Sequence, residues 1–125
     1  MNENELANRV IGHAIEVHKI LGPGLLENVY KESLFHLLKK DGLCVEKEKT
    51  MSVAFQEIKI ESGYRIDLLV ENKLLIELKS VDAISDIHLS QTLSYLKLGK
   101  FKLGLLINFK VSRLKEGIKR VANGI

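Results

Sequence analysis

Apolar positions in the first forty residues recur at helical spacing. Leu6, Val10, Ala14, Val17 and Leu21 form one stripe, widened by Ile11 and Ile15, which predicts a helix from Glu5 to about Ile20. Asn2 or Asn4 can cap it, and Gly22-Pro23-Gly24 breaks it. A second helix is expected from Leu25 to Lys40, with Val29, Tyr30, Leu34, Leu37 and Leu38 inward and Asp41-Gly42 as its stop.

The period then drops to two. Leu43, Val45, Met51, Val53 and Phe55 hold odd positions between polar neighbours, which predicts two strands between Leu43 and Ile60 with a turn at Gln56-Glu57. Lys47 and Lys49 mark an edge. From Gly63 to Ser80, two apolar runs flank Glu71-Asn72-Lys73 and read as a hairpin. Side chains alternate along a strand, so Tyr64, Ile66, Leu68 and Val70 should share a face, as should Leu74, Ile76 and Leu78. Keeping those faces together through a three-residue loop pairs Val70 with Leu74, Leu68 with Ile76, Asp67 with Glu77 and Arg65 with Lys79, because a one-residue slip would bury charge.

Past a connection at 81–85, Asp82 or Ser85 can cap a helix that runs to about Leu98. Leu89, Leu93 and Leu96 form its stripe, with His88, Gln91 and Tyr95 on a neighbouring face. Leu103 to Phe109 is continuously apolar, as in a strand buried on both faces. A helix between this strand and 74–79 implies a right-handed crossover and parallel pairing. A last helix is expected over 112–122 through Leu114, Ile118 and Val121. The chain reads as a small α/β sandwich around a mixed sheet.

With 125 residues, the chain is long enough for one domain with a core that needs no staple. The single cysteine, Cys44, has no partner for a disulfide and reads as core or strand filler in a reducing cytosol. No apolar run approaches the roughly 20 residues that span a bilayer, and the polar start is unlike a signal peptide, so a cytoplasmic location is expected. His13 and His18 are five residues apart, off a common helical face, and read as structural or surface residues.

Charge is unevenly divided. From Lys97 onward there are eight Lys/Arg and one acid, net +7, against net −4 over the first 96 residues. Lys115, Lys119 and Arg120 belong to this basic end. It suits a polyanion held near an acidic site, or it merely solvates a helix.

The hairpin carries the chemistry. Like charges facing across strands destabilise the pair, so Asp67 beside Glu77 calls for a cation, and hard carboxylates suit Mg²⁺ or Mn²⁺. Lys79, two residues beyond Glu77, can hold a water or stabilise phosphate charge. The plainer reading is a solvated polar face neutralised by Lys79. Glu27 has an adequate structural role in complementing the dipole of its helix.

An acid on one core strand followed by Glu-x-Lys on the next, here Asp67 and Glu77-Leu78-Lys79, resembles the PD-(D/E)XK nuclease superfamily. Glu57-Ile58-Lys59 also matches Glu-x-Lys but lacks a preceding acidic strand. Gly63-x-x-x-Asp67 and Gln91-x-x-x-Tyr95 sharpen the match. Gly24-Leu-Leu-Glu27-Asn-Val-Tyr30 resembles the GxxExxY family of short prokaryotic proteins assigned to that superfamily, and the similarity runs from Ile11 to Asn123.

The resemblance implies a restriction-endonuclease-like fold and metal-dependent cleavage of nucleic acid, DNA ahead of RNA. Asp67, Glu77 and the carbonyl of Leu78 would hold Mg²⁺ or Mn²⁺. Lys79 would orient water, Glu27 would approach the metal or its waters, and Gln91 and Tyr95 would position Lys79 or a phosphate. Tyr30 fits a functional role or a core tyrosine equally. Two alternatives remain: a nucleic-acid-binding module without turnover, and an interaction protein acting as a homodimer or with a partner protein.

Overall fold

The structure, a computed structural model, describes residues 1–124. Two helices open it, α1 (Glu3–Leu21) and α2 (Glu27–Lys40). Asn2 and Glu5 form a capping box at the start of α1, each side chain accepting the other's backbone N–H. Gly22, at φ 74°, ends α1 in a conformation that side chains resist.

Three antiparallel strands follow: β1 (Val45–Phe55), β2 (Ile58–Val70) and β3 (Leu74–Lys79). Helix α3 (Asp86–Gly99) then leads to β4 (Leu103–Asn108), which pairs with β3 in parallel. The sheet order is β1-β2-β3-β4-β5, where β5 is Ile118–Ala122. The architecture is the expected α/β sandwich around a mixed sheet.

Its two faces are covered unequally. Under α1 and α2, Leu6, Val10, Tyr30 and Leu34 pack on Leu68, Val70, Ile76, Leu105 and Ile107. Under α3 the core is smaller, with Tyr64, Ile66, Leu69, Leu75 and Leu96. Strands β3 and β4 are buried on both faces, which explains their unbroken apolar runs.

The C-terminal segment differs from expectation. In place of a helix over 112–122, a short 3₁₀ turn (Leu114–Gly117) leads into β5, antiparallel to β4. The outer edge of β4 is buried, and its backbone groups need partners that only another strand can supply. Gly117 permits the entry, since a Cβ there would collide with the carbonyl oxygen of Asn108. Ile118 then packs beneath α1 and α2, while Val121 packs beneath α3. Helical spacing and alternation both fit these residues, and the open edge decides between them.

Smaller differences have local causes. Cys44 is exposed just before β1 and fills no core position. On α2, Val29 is exposed and Leu37 half-buried. On α3, Leu89 and Leu93 are half-buried, and Thr92 takes the inner position by bonding its hydroxyl to the carbonyl of His88. Ser85 caps α3, accepting the His88 N–H.

Candidate active site

Asp67 lies where the sheet is interrupted on both sides. On the β1 side, Lys47 pairs with Leu68 and Lys49 with Ile66, but Glu48 between them is left out at φ 53°. The alternation of β2 breaks here. Leu68 and Val70 face the core of α1 and α2, whereas Tyr64 and Ile66 face α3, so the four do not share one face as expected.

On the β3 side, the predicted register holds for Val70–Leu74, Leu69–Leu75 and Leu68–Ile76, and there the ladder stops. Carboxylates replace the next rungs. Glu77 Oε2 accepts the Asp67 N–H at 2.8 Å, and Asp67 Oδ2 accepts the Leu78 N–H at 2.9 Å. The two acids come together, but through a side-chain-to-backbone bond in place of the predicted ladder pair. Arg65 pairs with Thr50 of β1, not with Lys79.

Burial makes this pair costly as two free anions. Glu77 is 4% exposed. Burial first, and then the charge of Asp67, push its carboxyl up to about 8, against the Asp67 N–H and Lys79, which lower it. Glu27, at the start of α2, is raised by burial and by Asp67, and lowered by Lys79, Lys31 and His88. These influences bring α2, the opened hairpin and the start of α3 to one place. Tyr95 is raised by burial and then by Glu77 and Asp67, and its ring stacks on Tyr64 at 4.5 Å.

Glu27 also lines an open cleft of about 400 Å³ with Pro23, Gly24, Ser80 and Lys110. Tyr30 shapes the cleft from within. It is fully buried, stacked on Phe109 at 4.4 Å, and its hydroxyl donates to the Gly22 carbonyl and accepts the Leu25 N–H. Its role is to hold the Gly22–Leu25 loop.

The acids' chemistry fits a small hard cation. Each carboxylate uses one oxygen on backbone, which leaves Asp67 Oδ1 and Glu77 Oε1 available. A divalent ion in place of the proton on Glu77 would relieve their mutual repulsion, and Mg²⁺ needs only one or two protein carboxylates because it keeps several waters. Among the described residues, no group of three or more His, Cys, Asp or Glu is gathered as a ready metal cage. Leu78 is buried in the larger core and gives its N–H to Asp67.

Other predicted residues are dispersed. Gln91 is exposed on α3, between His88 and Tyr95 at helical spacing. Lys119 and Arg120 point to opposite faces of β5, and Arg120 is bonded to Asn4 and Asn8 of α1. Lys115 lies on the 3₁₀ turn. The basic end is therefore not one helical face.

Three residues escaped the sequence reading as parts of this neighbourhood. Lys31, one turn after Glu27, is 7% exposed and bonds Glu48 at 2.7 Å. His88 accepts the Ser85 N–H at Nδ1, which leaves Nε2 for other partners. Asn108 is buried and grips both backbone groups of Val81, fixing the segment just after Lys79. A lone polar residue ending the 103–109 apolar run was a usable signal for Asn108. For His88 the signal was its helical spacing with Gln91 and Tyr95, whereas Lys31 left none.

Comparison with known proteins agrees with this fold. The chain resembles the crystal structure of SSO0001 in fold, with a TM-score of 0.58 and 19% identity over 94% of this chain. It spans 63% of that protein. No curated protein matches the sequence. The family model of the PD-(D/E)XK nuclease superfamily matches residues 4–121. With nearly its whole length matched, and with its acids and lysine at the opening of a central hairpin, the chain belongs to the PD-(D/E)XK nuclease superfamily.

Proposed function

We propose that this protein is a Mg²⁺- or Mn²⁺-dependent nuclease that hydrolyses phosphodiester bonds, on DNA ahead of RNA by family analogy alone. The observation that carries the reading is the pairing of half-buried Asp67 with buried Glu77, each carboxylate keeping one oxygen off the backbone, with Lys79 two residues beyond Glu77.

Asp67, Glu77 and the carbonyl of Leu78 would hold the cation, whose contribution is to polarise a phosphoryl oxygen and lower the pKa of a bound water. Lys79 orients the attacking water and offsets charge that builds on the phosphate. Glu27 accepts a hydrogen bond from that water, within the field of Lys79 and His88. Tyr95 of α3 lies within the field of the acids, and Gln91 offers its exposed amide to a phosphate oxygen.

The test is cleavage of single- and double-stranded DNA and RNA in Mg²⁺, Mn²⁺ or chelator, beside Lys79→Ala. Metal-dependent cleavage lost in the variant supports the reading. Nucleic-acid binding without cleavage in any metal would replace it with a non-catalytic binding module.

A further inference from the structure

Among the described residues, Lys31, Lys47, Lys49, Lys59 and Lys110 each pair with an acid. A cleft of about 530 Å³ between the end of α1 and the 112–116 segment instead gathers cations in a concave surface. Lys19, Arg113 and Lys115 line it, and none of the three is paired with an acid among the described residues. Glu116 is the one carboxylate on its wall. Lys19 has a local reason to be there, since it complements the α1 dipole. Arg113 and Lys115 have none.

The wall is held firmly. His18, 8% exposed, bonds its Nε2 to the Val111 carbonyl at 2.8 Å and so ties the segment to α1. The segment is also tied to the candidate active site, because the Phe109 N–H donates to the Lys79 carbonyl at 2.9 Å. Lys110 borders the cleft that contains Glu27, and Arg113 follows three residues later, a reach of about 10 Å at most. Cations that converge in a concave surface concentrate positive potential there.

We propose that this cleft is a phosphate subsite that grips the backbone of a nucleic-acid strand a few nucleotides from the phosphate at Asp67 and Glu77. The proposal rests on the nuclease reading for its substrate, though binding and cleavage can fail separately. It also relocates the polyanion track from Lys119 and Arg120 to Lys19, Arg113 and Lys115.

The test measures binding of a 20-nucleotide single-stranded DNA across a salt series in chelator. Wild type is compared with Arg113→Gln/Lys115→Gln and with Lys39→Gln/Lys40→Gln, which removes the same charge from the far end of α2. The subsite predicts that the slope of log affinity against log salt falls by about 1.4 in the first variant, at about 0.7 per phosphate contact, and stays at the wild-type value in the second. Equal slopes in the two variants, or no DNA binding by wild type, would overturn it. Hydrolysis of bis(4-nitrophenyl) phosphate with Mn²⁺, wild type against Lys79→Ala, probes the nuclease reading alone, since so small a diester cannot span both places. Turnover with equal slopes removes the subsite and keeps the nuclease. A selective slope change without turnover does the reverse.

Discussion

The two ends of the β2–β3 hairpin are built from similar residues and behave differently. At the turn, Leu68 to Val70 and Leu74 to Ile76 pair in an ordinary antiparallel ladder, with every side chain buried. A few residues away, the same strands part, and Asp67 and Glu77 use carboxylate oxygens where carbonyls would otherwise serve. The closed end is specified by apolar burial. The open end is specified by hydrogen bonds that need a side-chain oxygen acceptor at each of those two positions. Chemistry becomes available where the ladder gives way, because free carboxylate oxygens then point into the gap.

The largest expected effect separates the ends by activity. Asp67→Asn should lower diester turnover by at least about 100-fold, a loss typical of removing one charged group from a preorganised site. Denaturant midpoints on the same preparations should move little, because the amide carbonyl still accepts the Leu78 N–H. Ile76→Ala, at the closed end, should do the converse. It should cost about 2–5 kcal/mol of stability by urea unfolding, while turnover per folded molecule is kept.

Asp67→Ala sharpens the contrast. It leaves the Leu78 N–H without its acceptor, and should cost about 1–3 kcal/mol more than Asp67→Asn.

A pH series on metal-free protein tests the strain at the open end. The Glu77 carboxyl is raised from 4.5 to about 8 on folding, so the folded state holds this proton more tightly. Its stabilising contribution is complete below the unfolded value and is lost as pH rises through about 8. Thermal melts in chelator should therefore decline across that window, and Glu77→Gln should flatten the decline. The smallest change should come at the turn, where Asn72 has φ 54°. Asn tolerates that region, so Asn72→Gly should shift stability by less than about 1 kcal/mol and leave turnover alone.

Much of this was legible in the sequence. The hairpin register followed from loop length and the cost of burying charge, and it named Asp67, Glu77 and Lys79 together. The helix expected at 112–122 failed because spacing cannot see that β4 has a bare edge for Ile118–Ala122 to complete. The shared face expected of Tyr64 and Leu68 failed at Asp67, where Glu48 leaves the ladder, an irregularity set by tertiary structure. Lys31, and the influence of His88 on Glu27, were missed for the same reason. Their charged surroundings come from β1 and α2, far along the chain. Periodicity reports what each segment buries, and says little about which segments meet.

The paired grip of Asp67 and Glu77 on each other's strands also bears on how this protein can change through evolution. A descendant that no longer cleaved anything could not simply exchange either acid for a small apolar residue, since an N–H in the middle of the sheet would lose its partner. Selection for folding alone would preserve an oxygen acceptor, acid or amide, at both positions long after selection for turnover had ended. Among relatives with this latch, Lys79, whose side chain makes no hydrogen bond or ion pair among the described residues, is the more informative position: its loss would mark a repurposed surface before the latch changed.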